Sequence, residues 1–229
     1  MNVLKFPKIE KLMKTSKQDK SLASFHPIIQ TWFNETFPSS TPPQEKGWPA
    51  IFKNENTLIL APTGSGKTLA AFLVCINEIL SALINNENIN GVHTLYISPL
   101  KALNYDIERN LESPLAGIQR LAEKQNVRLP QIKVSVRTGD TPQRERQRML
   151  KKPPHILITT PESLHLLLTS KLPREILKTV KYVIVDEIHA LSENKRGTFL
   201  SVLLERLQNL TAKKFVRIGL SAFSVETRV

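Results

Sequence analysis

One cysteine in 229 residues, Cys75, leaves this chain without an internal disulfide and without a companion thiol for a metal site, so it reads as a small packed hydrophobe in an apolar stretch. No apolar run is expected to approach the ~18 residues a membrane span needs. The opening M-N-V-L-K-F-P-K has no apolar run of the kind that marks a secretory signal. Together these absences lead to the expectation of a cytoplasmic protein with no membrane partner. Internal repeats are missing, and low complexity is confined to a lysine-rich start and a Pro-containing loop at residues 37–43. Acidic residues are in short supply, 20 against 32 basic, for a net charge of +12 and a pI near 9.9. That imbalance favours a polyanionic partner such as nucleic acid.

The basic excess is concentrated. Residues 1–20 carry Lys5, Lys8, Lys11, Lys14, Lys17 and Lys20, while residues 144–152 carry Arg144, Arg146, Arg148, Lys151 and Lys152. Between and around them run six β-rich segments, at 57–61, 93–98, 132–137, 155–159, 181–185 and 215–220, separated by helical stretches. Strands alternating with helices predict an α/β fold, a mainly parallel sheet with helices on both faces, whose strands are apolar throughout because both sides are covered. Three strand ends carry Ser98-Pro99, Thr141-Pro142 and Thr160-Pro161. Each pair reads as a helix start, with the hydroxyl at the N-cap and proline at the first helical position. Helix N-termini gathered at the carboxyl edge of a parallel sheet attract anions, so these junctions, with Lys101 and Arg144 nearby, predict a sequence-independent track for a phosphate backbone.

The octapeptide A-P-T-G-S-G-K-T at 61–68 lies between an apolar strand and a helix-forming run. That context makes Thr63, Gly64, Ser65 and Gly66 the backbone of a phosphate-binding loop, with Lys67 directed at the β/γ-phosphates and Thr68 at Mg²⁺. Ala61 stands where the strict pattern has glycine, while Gly64 and Gly66 supply the positive φ expected of such a turn. Downstream, four apolar residues end in Asp186 and Glu187. Asp186 is placed to bind a metal's hydration shell, and Glu187, one step on, to orient and polarise water. A phosphate loop alone also fits a kinase; the carboxylate pair indicates an NTPase with its own attacking water. His189, taken alone, reads as a structural histidine.

The ordered set A-P-T-G-S-G-K-T (61–68), S-P-L-K-A-L (98–103), T-G-D-T (138–141), T-T-P-E-S-L (159–164), V-D-E-I-H-A-L (185–191) and S-A-F (221–223) resembles the first RecA-like P-loop NTPase domain of a superfamily 2 helicase. The wording of residues 25–33 and 98–107 is most similar to the large-helicase-related (Lhr) family. The resemblance runs from residue 22 to 229 and leaves residues 1–21 as a lysine-rich extension. It implies ATP and Mg²⁺ as cofactors, catalytic roles for Lys67, Asp186, Glu187 and His189, and metal contacts from Thr68 and Asp186. It implies an adenine contact from Gln44, in the run T-P-P-Q before G-W-P, because a carboxamide offers both a donor and an acceptor. It also implies nucleic-acid contacts from Pro99, Lys101, Thr138, Gly139, Arg144, Thr160, Pro161 and Glu162.

In this family, His189 would couple the nucleotide site to a second RecA-like domain, and Ser221 and Ala222 would take part in coupling. Phe223 stands where the family usually has a threonine that links hydrolysis to strand movement. The second RecA-like domain, with its arginine fingers, has no counterpart in the chain. The expectation is therefore a monomeric ATP-binding half of a DNA or RNA helicase, acting on single-stranded or duplex nucleic acid. Two other readings stay open: a nucleotide-binding nucleic-acid module without turnover, and a P-loop kinase or metabolic NTPase.

Overall fold

The computed structural model describes residues 20–99, 101–192 and 195–222, and of these the side chains of 101–106, 109 and 192 are not described. The lysine-rich start, the Lys101 side chain and Phe223 therefore lie outside the described residues. After a 3-10 turn at Lys20–Leu22 come α1 (Pro27–Thr36), α2 (Pro42–Phe52), β1 (Thr57–Leu60), α3 (Lys67–Ile84), β2 (Thr94–Ile97), α4 (Lys101–Lys124) and β3 (Val134–Arg137). The second half holds α5 (Gln143–Lys151), β4 (Ile156–Thr159), α6 (Pro161–Thr169), α7 (Lys171–Glu175), β5 (Tyr182–Val185), α8 (His189–Ser192), α9 (Lys195–Leu210) and β6 (Val216–Ser221). All six expected strands form.

They make one parallel sheet in the order β1-β6-β5-β2-β4-β3. The chain crosses from β1 to β2 and out to β3, then returns through β4, β5 and β6. Outward steps are covered by α3 and α4, which share one apolar cluster with α1 and α2. Return steps are covered by α5, α6 and α9, which build the cluster on the other face. That alternation is what right-handed crossovers require when the direction of travel reverses. Strands β2, β4 and β5 are buried at every position, as continuous apolar runs predict. Edge strand β1 departs from this: Ile59 packs inward while Leu58 and Leu60 are each 56% exposed.

One expectation needs correction. Helix α3 is 18 residues long with mean hydropathy 1.7, long and apolar enough to cross a membrane by length and composition alone. Counting uninterrupted apolar residues missed it, because Asn77, Glu78 and Ser81 break the run without lowering the average much. Its position accounts for the composition: residues Ala70 to Ile76, with Ile79 and Leu80, are buried against the sheet and α2. Cys75 is among them, fully buried as expected, and burial pushes its thiol up to about 12.

Candidate nucleotide and nucleic-acid site

Both halves of the site lie at the carboxyl edge of the sheet. Leaving β1, the chain turns through Gly64 and Gly66 at φ 79° and 82°, the left-handed region where a Cβ is penalised, and Gly66 is the N-cap of α3. The loop's amides therefore precede the positive end of an 18-residue helix. Lys67 Nζ donates to the carbonyls of Ala61 at 2.6 Å and Pro62 at 2.8 Å, so the ammonium is held over the loop. The Ser65 hydroxyl is hidden from solvent and has no hydrogen-bond partner within the described structure, an uncommon state for a buried polar atom.

Gln44 is buried at the start of α2. Its carboxamide oxygen accepts from Thr41 N–H at 2.9 Å, and its Nε2 donates to the Gly66 carbonyl at 3.5 Å. The side chain thus braces the phosphate loop against α2. Trp48, four residues on, is wholly buried between Phe25 and Phe33 in edge-to-face contacts at 5.0 and 5.5 Å and belongs to the core.

Two strands away, Asp186 follows β5 with only 7% exposure. Its Oδ1 accepts from Glu187 N–H at 2.8 Å, its Oδ2 accepts from the Tyr96 hydroxyl, and its own N–H donates to the Ile97 carbonyl at 2.9 Å. Glu187 has φ 50°, a left-handed conformation that costs a non-glycine residue about 1–2 kcal/mol and that clusters at functional sites. Its Oε2 lies 3.1 Å from His189 Nε2, and His189 Nδ1 lies 3.1 Å from Ser221 Oγ at the end of β6. Glu187, His189 and Ser221 therefore form one polar chain from the end of β5 to the end of β6.

The strands on the other side of β5 carry the predicted nucleic-acid track, and here the capping expectation holds at Thr160 and fails at Thr141. Thr160 caps α6, its hydroxyl accepting from Ser163 N–H at 3.3 Å with Pro161 in the first turn. Thr141 does not cap. Helix α5 starts one residue late, with Pro142 as N-cap, because the Thr141 hydroxyl is taken by the Thr138 N–H at 2.9 Å and ties the turn instead. Ser98 is fully buried, and the residue just before α4 lies outside the described residues.

Two arginines that carry no motif signal organise this edge. Arg146 closes the turn after β3, donating to the carbonyls of Thr141 and Gly139 at 2.7 Å each. Arg196, from α9, reaches Glu162 Oε1 through Nε at 3.0 Å and Nη2 at 2.8 Å, and the Pro99 carbonyl at 2.8 Å. Burial opposes ionisation of Glu162, yet its helix amide, Arg196 and the Thr160 hydroxyl outweigh it and hold the carboxyl below the usual range. Arg144 is exposed. No group of three or more His, Cys, Asp or Glu placed to hold a metal occurs among the described residues.

A phosphate loop after the first strand, with adjacent carboxylates ending a later strand of a parallel sheet, defines a RecA-like nucleotide-binding domain. A family profile then matches residues 41–224, and the chain belongs to the DEAD/DEAH box helicases. It is 57% identical over 194 residues to an ATP-dependent helicase Lhr-Core protein 2 of Thermococcus barophilus, covering 85% of this chain and 22% of that protein. Mycobacterium smegmatis helicase Lhr, solved with ssDNA and AMP-PNP, superposes with a TM-score of 0.83 at 49% identity, over 89% of this chain and 25% of that one. The DEAD-box helicase Mss116, solved with ssRNA and UDP-BeF, shares the fold, with a TM-score of 0.73 at 22% identity over 87% of this chain and 39% of that one. The chain thus spans no more than about a quarter of the length of these Lhr relatives.

Proposed function

We propose that this chain is the ATP-binding motor domain of an ATP-dependent DNA or RNA helicase, one wall of a cleft whose other wall is a second RecA-like domain. The observation that carries the reading is the placement of the phosphate loop, the Asp186–Glu187 pair and the strand-end loops on a single sheet edge. Nucleotide elements occupy β1, β6 and β5, and the basic-flanked junctions occupy β2, β4 and β3.

Several residues would act on nucleotide directly. Lys67 would exchange its two loop carbonyls for phosphate oxygens, and the Ser65 hydroxyl and loop amides would supply further donors. Gln44 would exchange Thr41 and Gly66 for the adenine edge. Glu187 would orient and polarise the attacking water, with His189 and Ser221 relaying its position toward β6. Thr68 and Asp186 offer a hydroxyl and a carboxylate, hard oxygen donors few enough to leave a bound Mg²⁺ most of its waters, which fits that ion. When bound, Mg²⁺ would neutralise charge on the β- and γ-phosphate oxygens.

Along the other half of the edge, Pro99, Lys101, Thr138, Gly139, Arg144, Thr160, Pro161 and Glu162 would border a phosphate backbone without reading bases. Hydrolysis by the chain alone is expected to be slow, since an arginine supplied from outside a site of this kind is worth ~10³ to 10⁵ in rate. The test is nucleotide binding and turnover by the purified 229-residue chain, with and without single-stranded DNA or RNA. Loss of binding on Lys67→Ala and strand-stimulated turnover support the motor. Binding with no turnover under any condition favours a nucleotide-gated binding module, and efficient duplex unwinding by this chain alone would refute the half-site reading.

A further inference from the structure

The hydroxyl of Tyr96 is the one polar group on the buried strand β2 that points along the sheet to a site residue. Tyr96 is completely buried, its ring stacked on Phe72 of α3 with centroids 5.1 Å apart and planes at 24°. In the β2–β5 register it stands opposite Ile184, two residues short of Asp186. Two residues along a strand are roughly 6.6 Å, within reach of a tyrosine ring, and its hydroxyl donates to Asp186 Oδ2.

A carboxylate oxygen can only accept, so the phenol is the donor in this bond. The other oxygen, Oδ1, is held by the Glu187 amide. Two donors, the next amide of its own segment and a hydroxyl from the neighbouring strand β2, thus fix the rotation of the carboxylate plane about the Cβ–Cγ bond. Without the tyrosine hydroxyl, one side-chain anchor is left and the plane can turn.

We infer that Tyr96 is a positioning residue for the metal-facing carboxylate: by clamping Oδ2 of Asp186, it presets the orientation in which the carboxylate meets nucleotide-bound Mg²⁺. The inference rests on the proposed ATP·Mg²⁺ site. Groups that orient metal ligands from behind are worth about 10- to 100-fold in metal affinity. A bystander role, in which Asp186 merely satisfies a buried phenol, predicts an effect on folding alone.

The test is Tyr96→Phe, which keeps the stacked ring and removes only the oxygen. Mn²⁺ binding to the chain with ADP is followed by the loss of the free-ion EPR signal, with no turnover involved. ADP binding in EDTA and thermal unfolding are followed alongside. The expected result is unchanged ADP affinity in EDTA with about tenfold weaker Mn²⁺ binding, and no further loss when Tyr96→Phe is added to Asp186→Asn. Equal Mn²⁺ affinity in Tyr96→Phe and the parent, or an equal loss in the Asp186→Asn background, overturns the inference.

Should Tyr96→Phe not fold, Phe72→Leu, which loosens the ring without touching the hydroxyl, is expected to weaken Mn²⁺ binding by a smaller factor, and an unchanged affinity there overturns the proposal. A parent chain that binds ADP with no metal dependence would instead sink the reading of the site itself. Lys67→Ala distinguishes the cases, because it removes nucleotide binding only if that reading is right.

Discussion

Gly64 and Gly66 share a positive φ but differ in surroundings, and a pair of alanine variants should separate backbone strain from contact. At Gly64 (φ 79°) an added Cβ meets nothing within 4 Å. Gly64→Ala should therefore cost only the left-handed penalty, about 1–2 kcal/mol. At Gly66 (φ 82°) the Cβ would lie 2.7 Å from Gln44 Nε2 and 3.2 Å from Thr41 Oγ1. The Gln44 side chain must then move, giving up its bond to Thr41 N–H and its longer one to the Gly66 carbonyl, each worth about 1 kcal/mol net. Gly66→Ala should thus cost about 3–4 kcal/mol, the sum of these terms. Denaturant unfolding of Gly64→Ala, Gly66→Ala, Gln44→Ala and the double variant Gln44→Ala/Gly66→Ala measures each cost. The expected coupling is about 2 kcal/mol, the two Gln44 hydrogen bonds, with Gly66→Ala milder once Gln44 is gone. Equal costs at the two glycines, or additivity in the double variant, would refute the claim that Gln44 braces the loop.

Acid should unfold the protein partly through His93, which burial, then Lys181 and His155, lower to about 4. Between about 4 and 6.5 the unfolded chain holds the extra proton, so stability rises with pH across that window and up to about 3 kcal/mol is lost on acidification; His93→Gln should flatten the dependence seen in urea melts from pH 4 to 7. His26 and His155, also lowered by burial, add in the same direction. Cys75 should resist an aromatic disulfide reagent in the native state and react only at the rate of unfolding, and rapid native labelling would contradict its burial. Arg196→Ala should lower stability by no more than about 1 kcal/mol, since its partner Glu162 is largely exposed, yet weaken single-strand binding severalfold by leaving that carboxylate uncompensated beside the proposed track. Adding Glu162→Gln should recover part of the loss.

What the sequence made legible is what local chemistry dictates. Strands buried on both faces are nearly continuous apolar runs, so T-L-Y-I, I-L-I-T and Y-V-I-V announce themselves. The phosphate loop is equally local, because positive φ at two nearby positions demands glycine there. Capping was only partly legible for a related reason: a hydroxyl before proline can cap, but Thr141 is competed for by the Thr138 amide, and that competition depends on how tightly the turn closes. Contacts across the sheet were invisible. Tyr96 and Asp186 are 90 positions apart, and Arg196 and Glu162 are 34 apart. One signal did exist, since a phenol within a buried strand usually finds a hydrogen-bond partner. The sheet order then limits the candidates to residues at the ends of β4 and β5.

The seam between β5 and β2 divides the nucleotide side of the edge from the strand-end loops, and among the described residues Arg196 and Tyr96 cross it at the carboxyl edge by polar contacts. Arg196 ties α9 to the ends of β2 and β4, but its side chain and that of Glu162 are 44% and 56% exposed, where an ion pair is worth about 0–1 kcal/mol. Tyr96 ties β2 to Asp186 in the interior, where a hydrogen bond to a charged partner is worth about 1.5–3 kcal/mol. The buried tether is thus the stronger of the two. A displacement of Asp186 would then be transmitted to β2, and so to the Ser98–Pro99 junction two residues beyond Tyr96, more strongly than through the exposed arginine. Arg196 is left as the contact that can yield when a polyanion competes for its guanidinium.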